Sequence, residues 1–147
     1  AQINESLAPL AAATNLRSVT IIGGVGPNPQ IQALRQGVDI VIACPPGRLE
    51  DHVKSRHADL SAIEITVLDE ADHMADLGFL PPVKRLLDKT PPRDGQRMLF
   101  SATLDGGVDV LVKRYLTDPP SCTVSTRRSR RSPPWSTTCC TSRRPHG

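Results

Sequence analysis

Short apolar runs alternate with helix-like segments along residues 1–118, and nearly every apolar run stops at a polar residue, a glycine or a proline. The runs are rich in β-branched residues, and the segments between them carry apolar residues at helical spacing. Parallel strands need crossover segments of this kind, whereas antiparallel hairpins do not. The alternation therefore predicts an α/β fold with a parallel sheet and flanking helices.

Four strands and five helices are predicted for this part of the chain. Aromatic residues make up only 3% of the sequence, so the core between these elements has to be built from aliphatic side chains. The predicted strands are 19–22, 38–42, 65–68 and 98–100, and the predicted helices are 2–14, 28–37, a segment from 47 onward, 81–87 and 108–116.

Charge divides the chain into two parts of different character. Residues 1–118 contain 12 basic and 15 acidic residues, a net charge of −3, whereas residues 119–147 contain six arginines and no acid. This division excludes a uniformly basic nucleic-acid-binding domain. Eleven of the 27 residues from 121 onward are Ser or Thr, and Val124 is their one aliphatic residue. We therefore expect a disordered tail, because it buries too little apolar surface to offset the entropy of ordering.

The cysteines and the hydropathy pattern suggest a cellular setting. Three of the four cysteines lie in the tail, and the adjacent pair Cys139-Cys140 lacks the spacing of zinc ligands, so neither a metal site nor a disulfide partner is expected. No apolar run approaches the roughly 18 residues that span a bilayer, and no secretory signal opens the sequence. We expect a cytoplasmic protein without a membrane partner.

Polar residues at the ends of two predicted strands are the candidates for chemistry, because ligands bind at the carboxyl ends of parallel strands. Asp69-Glu70-Ala71-Asp72 follows the strand 65–68, and Ser101-Ala102-Thr103 follows 98–100. Adjacent carboxylates suit phosphoryl chemistry, one for Mg²⁺ and one for an attacking water. Two simpler interpretations stay open at this point: Asp69 caps the following helix, and Ser101 starts another.

These segments carry a family resemblance. Val67-Leu-Asp-Glu-Ala-Asp-His-Met-Ala-Asp-Leu-Gly-Phe79, followed by Phe100-Ser-Ala-Thr103, resembles the DEAD-box family of ATP-dependent RNA helicases. Gly23-Gly24 is similar to the family's GG element, and Gly47-Arg48-Leu49-Glu50-Asp51 is similar to its P-G-R-L-x-D element. The matches follow the family's order and cover roughly residues 1–118, which implies part of a RecA-like domain with a P-loop NTPase type of sheet.

The resemblance implies a role for each matched residue. Asp69 would bind Mg²⁺ through water, Glu70 would position the hydrolytic water, and both would be catalytic. Coupling of nucleotide state to RNA unwinding would involve Asp72, Ser101 and Thr103. The RNA backbone, read without regard to sequence, would be held by Gly23, Gly24, Gly47 and Arg48. Without the family context, a turn glycine pair and a solvated surface arginine are the alternatives. ATP and Mg²⁺ are the cofactors of the intact family member.

The sequence also departs from the family pattern. It contains no G-x-x-x-x-G-K-[ST] P-loop, it has nothing similar to the second RecA-like lobe, and it reads Cys44-Pro45-Pro46-Gly47-Arg48 where the family has T-P-G-R. We therefore expect residues 1–118 to be part of helicase domain 1, which does not bind ATP and Mg²⁺ stably by itself. Residues 119–147 would be either an out-of-frame extension or a functional basic tail.

Three functions are compatible with these features. The first is a fragment of a DEAD-box RNA helicase, inactive by itself, whose parent couples ATP hydrolysis to local duplex unwinding. The second is a non-enzymatic remnant that binds RNA or an acidic partner through its arginines, and the third is another P-loop ATPase of the helicase superfamily. In the resembled fold an inner strand leads into the P-loop. Without that strand we expect the apolar side chains of Val67, Leu68, Leu99 and Phe100 to be exposed. We expect the tail to be unable to replace the strand, and the chain alone to be marginally stable.

Overall fold

The structure is a computed structural model that describes residues 2–91, 95–104, 106–116, 121–126 and 136–141. It divides into two compact units, Ala1–Asp59 and Leu60–Gly147. Within the described ranges, no helix combines the length and the apolar character needed to cross a membrane. The α/β fold class with parallel strands and flanking helices is confirmed.

The first unit contains a pair of parallel strands with three helices. Its elements in chain order are α1 (Gln2–Ala13), β1 (Ser18–Ile22), α2 (Pro27–Arg35), β2 (Ile40–Cys44) and α3 (Pro46–Lys54). The register pairs Ser18 with Ile40 and Ile22 with Cys44. Because the strands are parallel and end at paired residues, the segments that follow β1 and β2 leave the same edge of the sheet.

Strand β2 begins two residues later than the sequence predicts, at Ile40 rather than at Val38. Contacts to Arg17, the residue before β1, explain the shift. The backbone N–H groups of Asp39 and Ile40 both donate to the Arg17 carbonyl, at 2.8 and 3.0 Å. The Arg17 N–H donates in return to the Asp39 carboxylate at 2.8 Å. Asp39 thus closes the end of the ladder with its side chain, so the regular pairing starts after it.

The second unit contains a mixed four-stranded sheet. Its elements are β3 (Ile65–Leu68), α4 (Ala71–Asp76), α5 (Leu80–Leu87), β4 (Gln96–Ser101), α6 (Gly107–Tyr115), β5 (Ser121–Thr126) and β6 (Ser136–Thr141). The strand order is β3-β4-β6-β5. Strands β3 and β4 are parallel, with Leu68 opposite Leu99, whereas β6 is antiparallel to both of its neighbours.

Strands β5 and β6 correct the prediction of a disordered tail. Both lie within residues 119–147, and β6 pairs with β4 from Met98 opposite Thr141 to Ser101 opposite Thr138. The prediction is therefore wrong for 121–126 and 136–141, and the other tail residues lie outside the described ones. Backbone hydrogen bonding explains the difference, because the edge of β4 offers N–H and C=O groups to any extended segment. The Thr, Val and Cys content of β5 and β6 favours extended backbone.

An aliphatic core forms in the second unit, as the low aromatic content predicts. Its buried members come from α4, α5, β4 and α6, and they are Ala71, Val83, Leu87, Leu99, Val108, Leu111, Tyr115 and Leu116. The expectation that Leu99 is exposed by a missing strand is wrong, since this side chain is 1% exposed. Val67 on β3 is 52% exposed, in line with that expectation. Strand β3 is the last strand on its side of the sheet.

Shortening the chain to residue 118 is expected to lower its melting temperature by roughly 5–10 °C, because the edge of β4 loses its partner strand. The matched control keeps β5 and β6 and removes only charge. In this tail-neutral chain six arginines are replaced by serine, namely Arg127, Arg128, Arg130, Arg131, Arg143 and Arg144. Its melting temperature should stay within about 2 °C of the parent. Near-UV circular dichroism melts provide the measurement, and equal melting temperatures for all three chains would contradict the pairing of β6 with β4.

Candidate functional site

The carboxyl ends of β3 and β4 carry the first group of candidate residues. Asp69 directly follows β3, and its Oδ1 accepts a hydrogen bond of 2.9 Å from the Glu70 N–H. Glu70 has a left-handed backbone, with φ 51° and ψ 47°. A non-glycine residue pays roughly 1–2 kcal/mol for this conformation. Strain of this kind clusters at functional sites.

The structure excludes the helix-cap interpretation of Asp69. The N-cap residue of α4 is Glu70, and no side chain forms a capping hydrogen bond there. Asp69 therefore does not cap the helix, and both carboxylates are exposed beyond the end of β3. Ser101 is likewise the last residue of β4 rather than a helix start, since α6 begins only at Gly107.

Asp72 connects the two strand ends through a pair of hydrogen bonds. Its backbone N–H donates to Ser101 Oγ at 3.1 Å, and its Oδ2 accepts from the Ala102 N–H at 3.1 Å. Ser101 is buried, with 2% of its surface exposed. The first turn of α4 is therefore held to the segment after β4 by two contacts that share one residue. A movement of either segment must move the other or break both bonds.

Thr103 lies near this connection without joining it. It lines an open depression of about 410 Å³ together with Asp72, Asp76 and the start of α6. Asp72 is hydrogen-bonded to Ser101 and Ala102, and its Oδ1 accepts from the His73 N–H, whereas none of these bonds involves Thr103. The structure thus places all three coupling candidates in one neighbourhood and links two of them directly.

The donor atoms at the end of β3 fit a hard metal ion that keeps most of its water. Among the residues that the structure describes, no three His, Cys, Asp or Glu side chains converge on one point. Asp69 offers a carboxylate at the end of β3, and one of its oxygens accepts a hydrogen bond from the Glu70 N–H. Mg²⁺ is commonly held by one or two carboxylates together with waters and substrate phosphates. The residues present fit that form of binding.

The second group of candidates lies in the first unit, after β1 and β2. A Cβ atom built on Gly23 would lie 3.5 Å from Pro45 Cδ, which is van der Waals contact. Gly24 has φ +77°, a left-handed conformation that favours glycine, and no atom would obstruct a Cβ there. Gly47 and Arg48 lie in the first turn of α3. The structure thus brings the glycine pair next to the start of the helix that carries Gly47 and Arg48.

The additional proline of this segment lies at the start of α3. Pro45 is the N-cap residue of α3 and Pro46 its first residue, so a single residue separates β2 from the helix. Proline is well suited to the first helical position, where no N–H partner is needed. Arg48 is partly exposed, as a residue that contacts a phosphate has to be.

Two buried polar residues of this unit were missed by the sequence analysis. Gln30 of α2 is 5% exposed and His52 of α3 is 3% exposed. Their side chains meet, with His52 Nε2 and Gln30 Oε1 3.2 Å apart, and Gln30 Nε2 donates to the Ile22 carbonyl at 3.0 Å. Burial, and then the neighbouring His57 and Arg48, lower the pKa of His52 below its usual 6.5, although Asp51 opposes the shift. No local pattern marks either residue, because their importance lies in a contact between two helices.

Comparisons with known proteins agree with this geometry. A model of the family described as DEAD/DEAH box helicase matches residues 1–110. The chain is 41% identical over 118 residues to DEAD-box ATP-dependent RNA helicase 20 of Oryza sativa subsp. japonica, covering 80% of this chain and 24% of the relative. It is 46% identical over 104 residues to the ATP-dependent RNA helicase RhlB of Escherichia coli O1:K1 / APEC, covering 70% and 24%. The chain thus spans about a quarter of the length of these curated relatives.

Solved structures show the same similarity in three dimensions. A hypothetical ATP-dependent RNA helicase from Sulfolobus tokodaii superposes with a TM-score of 0.73 at 33% identity, over 80% of this chain and 34% of that one. A DEAD box protein from the hyperthermophile Methanococcus jannaschii gives a TM-score of 0.69 at 32% identity, over 80% and 32%.

Proposed function

Because the chain belongs to the DEAD/DEAH box helicase family, we propose that it is part of the first RecA-like lobe of an ATP-dependent RNA helicase. Residues 1–118 form the helicase part, and 119–147 form a basic extension. The observation that carries the proposal is the double hydrogen bond of Asp72 to Ser101 and Ala102, at 3.1 Å each. It joins the D-E-A-D segment to the S-A-T segment, which coupling of ATP hydrolysis to unwinding requires.

Within the intact helicase, the end of β3 acts on ATP. Asp69 would hold Mg²⁺ through water, and Glu70 would orient the water that attacks the γ-phosphate. The ion neutralises charge on the phosphates when it is bound. The left-handed backbone of Glu70 supports this role, since it places successive carboxylates at the tip of a strand rather than within a helix.

The first unit supplies an RNA-binding surface, which we call the phosphate edge and define as Gly23, Gly24, Gly47 and Arg48. The glycines allow backbone N–H groups to approach phosphates closely, and Arg48 adds a positive charge. Contacts of this kind do not distinguish bases, so binding is independent of sequence. The proximity of Gly23 to Pro45 supports the proposal, because the two segments of the phosphate edge lie next to each other there.

RNA binding by the parent chain is expected to fall steeply with salt, because the six tail arginines release counterions from RNA. The tail-neutral chain should lose most of the affinity. In that background, Arg48→Ala should weaken binding further and reduce the slope of log affinity against log salt by roughly 0.7–1. Arg35→Ala is the matched control, since Arg35 is an exposed arginine at the end of α2. Fluorescence anisotropy with a labelled uridine decamer provides the measurement.

The second candidate function is a remnant that binds RNA or an acidic partner through its tail alone. The observation in its favour is that residues 119–147 contain six arginines and no acidic residue. If Arg48→Ala and Arg35→Ala have equal effects in the tail-neutral background, the phosphate edge does not bind RNA and this second function replaces the first.

A cytoplasmic location is part of the same proposal. Cys44 is a free and exposed thiol at the end of β2. Free exposed thiols persist in reducing compartments, whereas secreted proteins usually pair them.

A further inference from the structure

A chain of two hydrogen bonds, one buried and one partly buried, links three elements of the first unit behind the phosphate edge. It starts at His52 of α3, passes through the Gln30 side chain of α2 and ends at the Ile22 carbonyl of β1, with distances of 3.2 and 3.0 Å. Ile22 directly precedes Gly23-Gly24, and His52 lies on the helix whose first turn contains Gly47 and Arg48. The chain therefore connects one half of the phosphate edge to the other from the protein interior.

The chemistry of the three groups determines which atom donates in each hydrogen bond. The Ile22 carbonyl can only accept, so the Gln30 amide nitrogen faces it, and Gln30 Oε1 is left to face the histidine. Since Oε1 can only accept as well, His52 must carry its proton on Nε2. Burial lowers the pKa of His52, which favours the neutral ring in this single tautomer. Gln30 Nε2 thus donates to the Ile22 carbonyl, and His52 Nε2 donates to Gln30 Oε1. If the Gln30 amide were turned over, its Oε1 would face the Ile22 carbonyl and two acceptors would be in contact.

We propose that Gln30 and His52 are positioning residues for RNA binding, which hold Gly23-Gly24 and Gly47-Arg48 at the separation of phosphates along one RNA strand. The inference rests on the proposed function of the phosphate edge. Neither residue contacts RNA, because both are almost completely buried. They restrict the motion of the two segments before RNA binds. RNA binding then loses less conformational entropy, so the affinity rises without an additional contact to RNA.

Packing alone does not supply this restraint. Gly24 is exposed, and no atom lies within 4 Å of a Cβ built on it, so little packs against this position of the turn. A Cβ built on Gly23 would lie 3.5 Å from Pro45 Cδ, but glycine has no side chain to make that contact. The β1–β2 ladder holds Ile22 opposite Cys44. The hydrogen bond from Gln30 to the Ile22 carbonyl adds a second, directional restraint at the residue before the turn, and His52 extends it to α3.

The test uses the full-length tail-neutral chain and the labelled uridine decamer at low salt. His52→Leu and Gln30→Leu should each weaken binding about tenfold, which corresponds to the loss of one net buried hydrogen bond. His52→Gln, whose amide can donate to Gln30 Oε1 from a similar reach, should stay within about twofold of the parent. Ile21→Val is the matched control, because Ile21 is fully buried on the same strand and outside the chain of hydrogen bonds.

Readouts beyond affinity separate positioning from simple destabilisation. The salt slope should be unchanged in His52→Leu, since Arg48 keeps its charge, whereas unfolding would change slope and affinity together. Thermal melts report the folded fraction of every variant. If His52→Leu does not melt cooperatively, His52→Asn replaces it, because its shorter amide breaks the contact with less disturbance.

Each outcome decides one proposal. Weaker binding by His52→Leu and Gln30→Leu, restored in His52→Gln and absent in Ile21→Val, supports positioning. An effect of Arg48→Ala without any effect of the two leucine variants overturns positioning and leaves the phosphate edge intact. No effect of Arg48→Ala overturns both.

Discussion

The 147-residue chain by itself is expected to hydrolyse ATP no faster than the uncatalysed background, with or without RNA. Its sequence contains no P-loop lysine and no glycine-rich nest for the β- and γ-phosphates. Catalysis of phosphoryl transfer consists almost entirely of positioning and charge stabilisation, so Glu70 has no phosphate held in line for it. A phosphate-release assay with the purified chain provides the measurement. RNA-stimulated turnover that disappears in Glu70→Gln would contradict the expectation.

The same residue should be decisive once the missing parts are supplied. In a chimera, the aligned 104 residues of this chain replace their counterpart in E. coli RhlB. Glu70→Gln should then lower the RNA-stimulated rate by about 100-fold or more, because a positioned base is worth roughly 10²–10⁴ in rate. Asp76→Asn is the control, since it removes the same charge from the nearby helix α4. Equal losses in the two variants would show that Glu70 has no special role.

Arg97 is the centre of a buried polar cluster. The residue is 7% exposed, and its Nη1 donates to the Tyr115 carbonyl at 3.2 Å. Its Nη2, with two N–H groups, lies 2.8–3.4 Å from four acceptors at and after the end of α5, namely Leu87 O, Thr90 O, Pro91 O and Thr90 Oγ1. A positive charge at the carboxyl ends of α5 and α6 stabilises both helix dipoles. Burial lowers the pKa of this guanidinium, and the hydrogen bonds offset the desolvation.

Arg97→Met is therefore expected to destabilise the chain by roughly 3 kcal/mol, because it leaves buried carbonyls without a donor. At about 4–8 °C per kcal/mol, the melting temperature should fall by more than about 10 °C. Arg114→Met is a close control, since both guanidinium groups stack on Tyr115, at 5.6 Å for Arg97 and 5.2 Å for Arg114. Arg114 is exposed and pairs with Asp88, so its loss should cost less than about 1 kcal/mol. Chemical denaturation of both variants gives the difference, and equal losses would contradict the assignment.

Local sequence patterns were sufficient for the fold class and for the segments that carry the site. Runs such as 65–68 and 98–100 are strands in the structure, and Asp69 and Ser101 lie at their ends as predicted. Both follow from short-range chemistry, because β-branched runs favour extended backbone and parallel strands direct their ends to one edge. The D-E-A-D and S-A-T motifs then indicated the family, which the comparisons confirm.

Contacts between segments that are distant in sequence could not be predicted from local sequence patterns. The tail composition predicted disorder, yet β6 pairs with β4 across about forty residues of sequence. This pairing depends on the hydrogen-bonding groups of an edge that exists only after β4 has joined the sheet. Gln30, His52 and Arg97 are ordinary polar residues in sequence, and they become important only where folding buries them against carbonyls of other elements. Composition and periodicity act through neighbours along the chain, whereas a buried hydrogen bond depends on which distant groups the fold brings within about 3 Å.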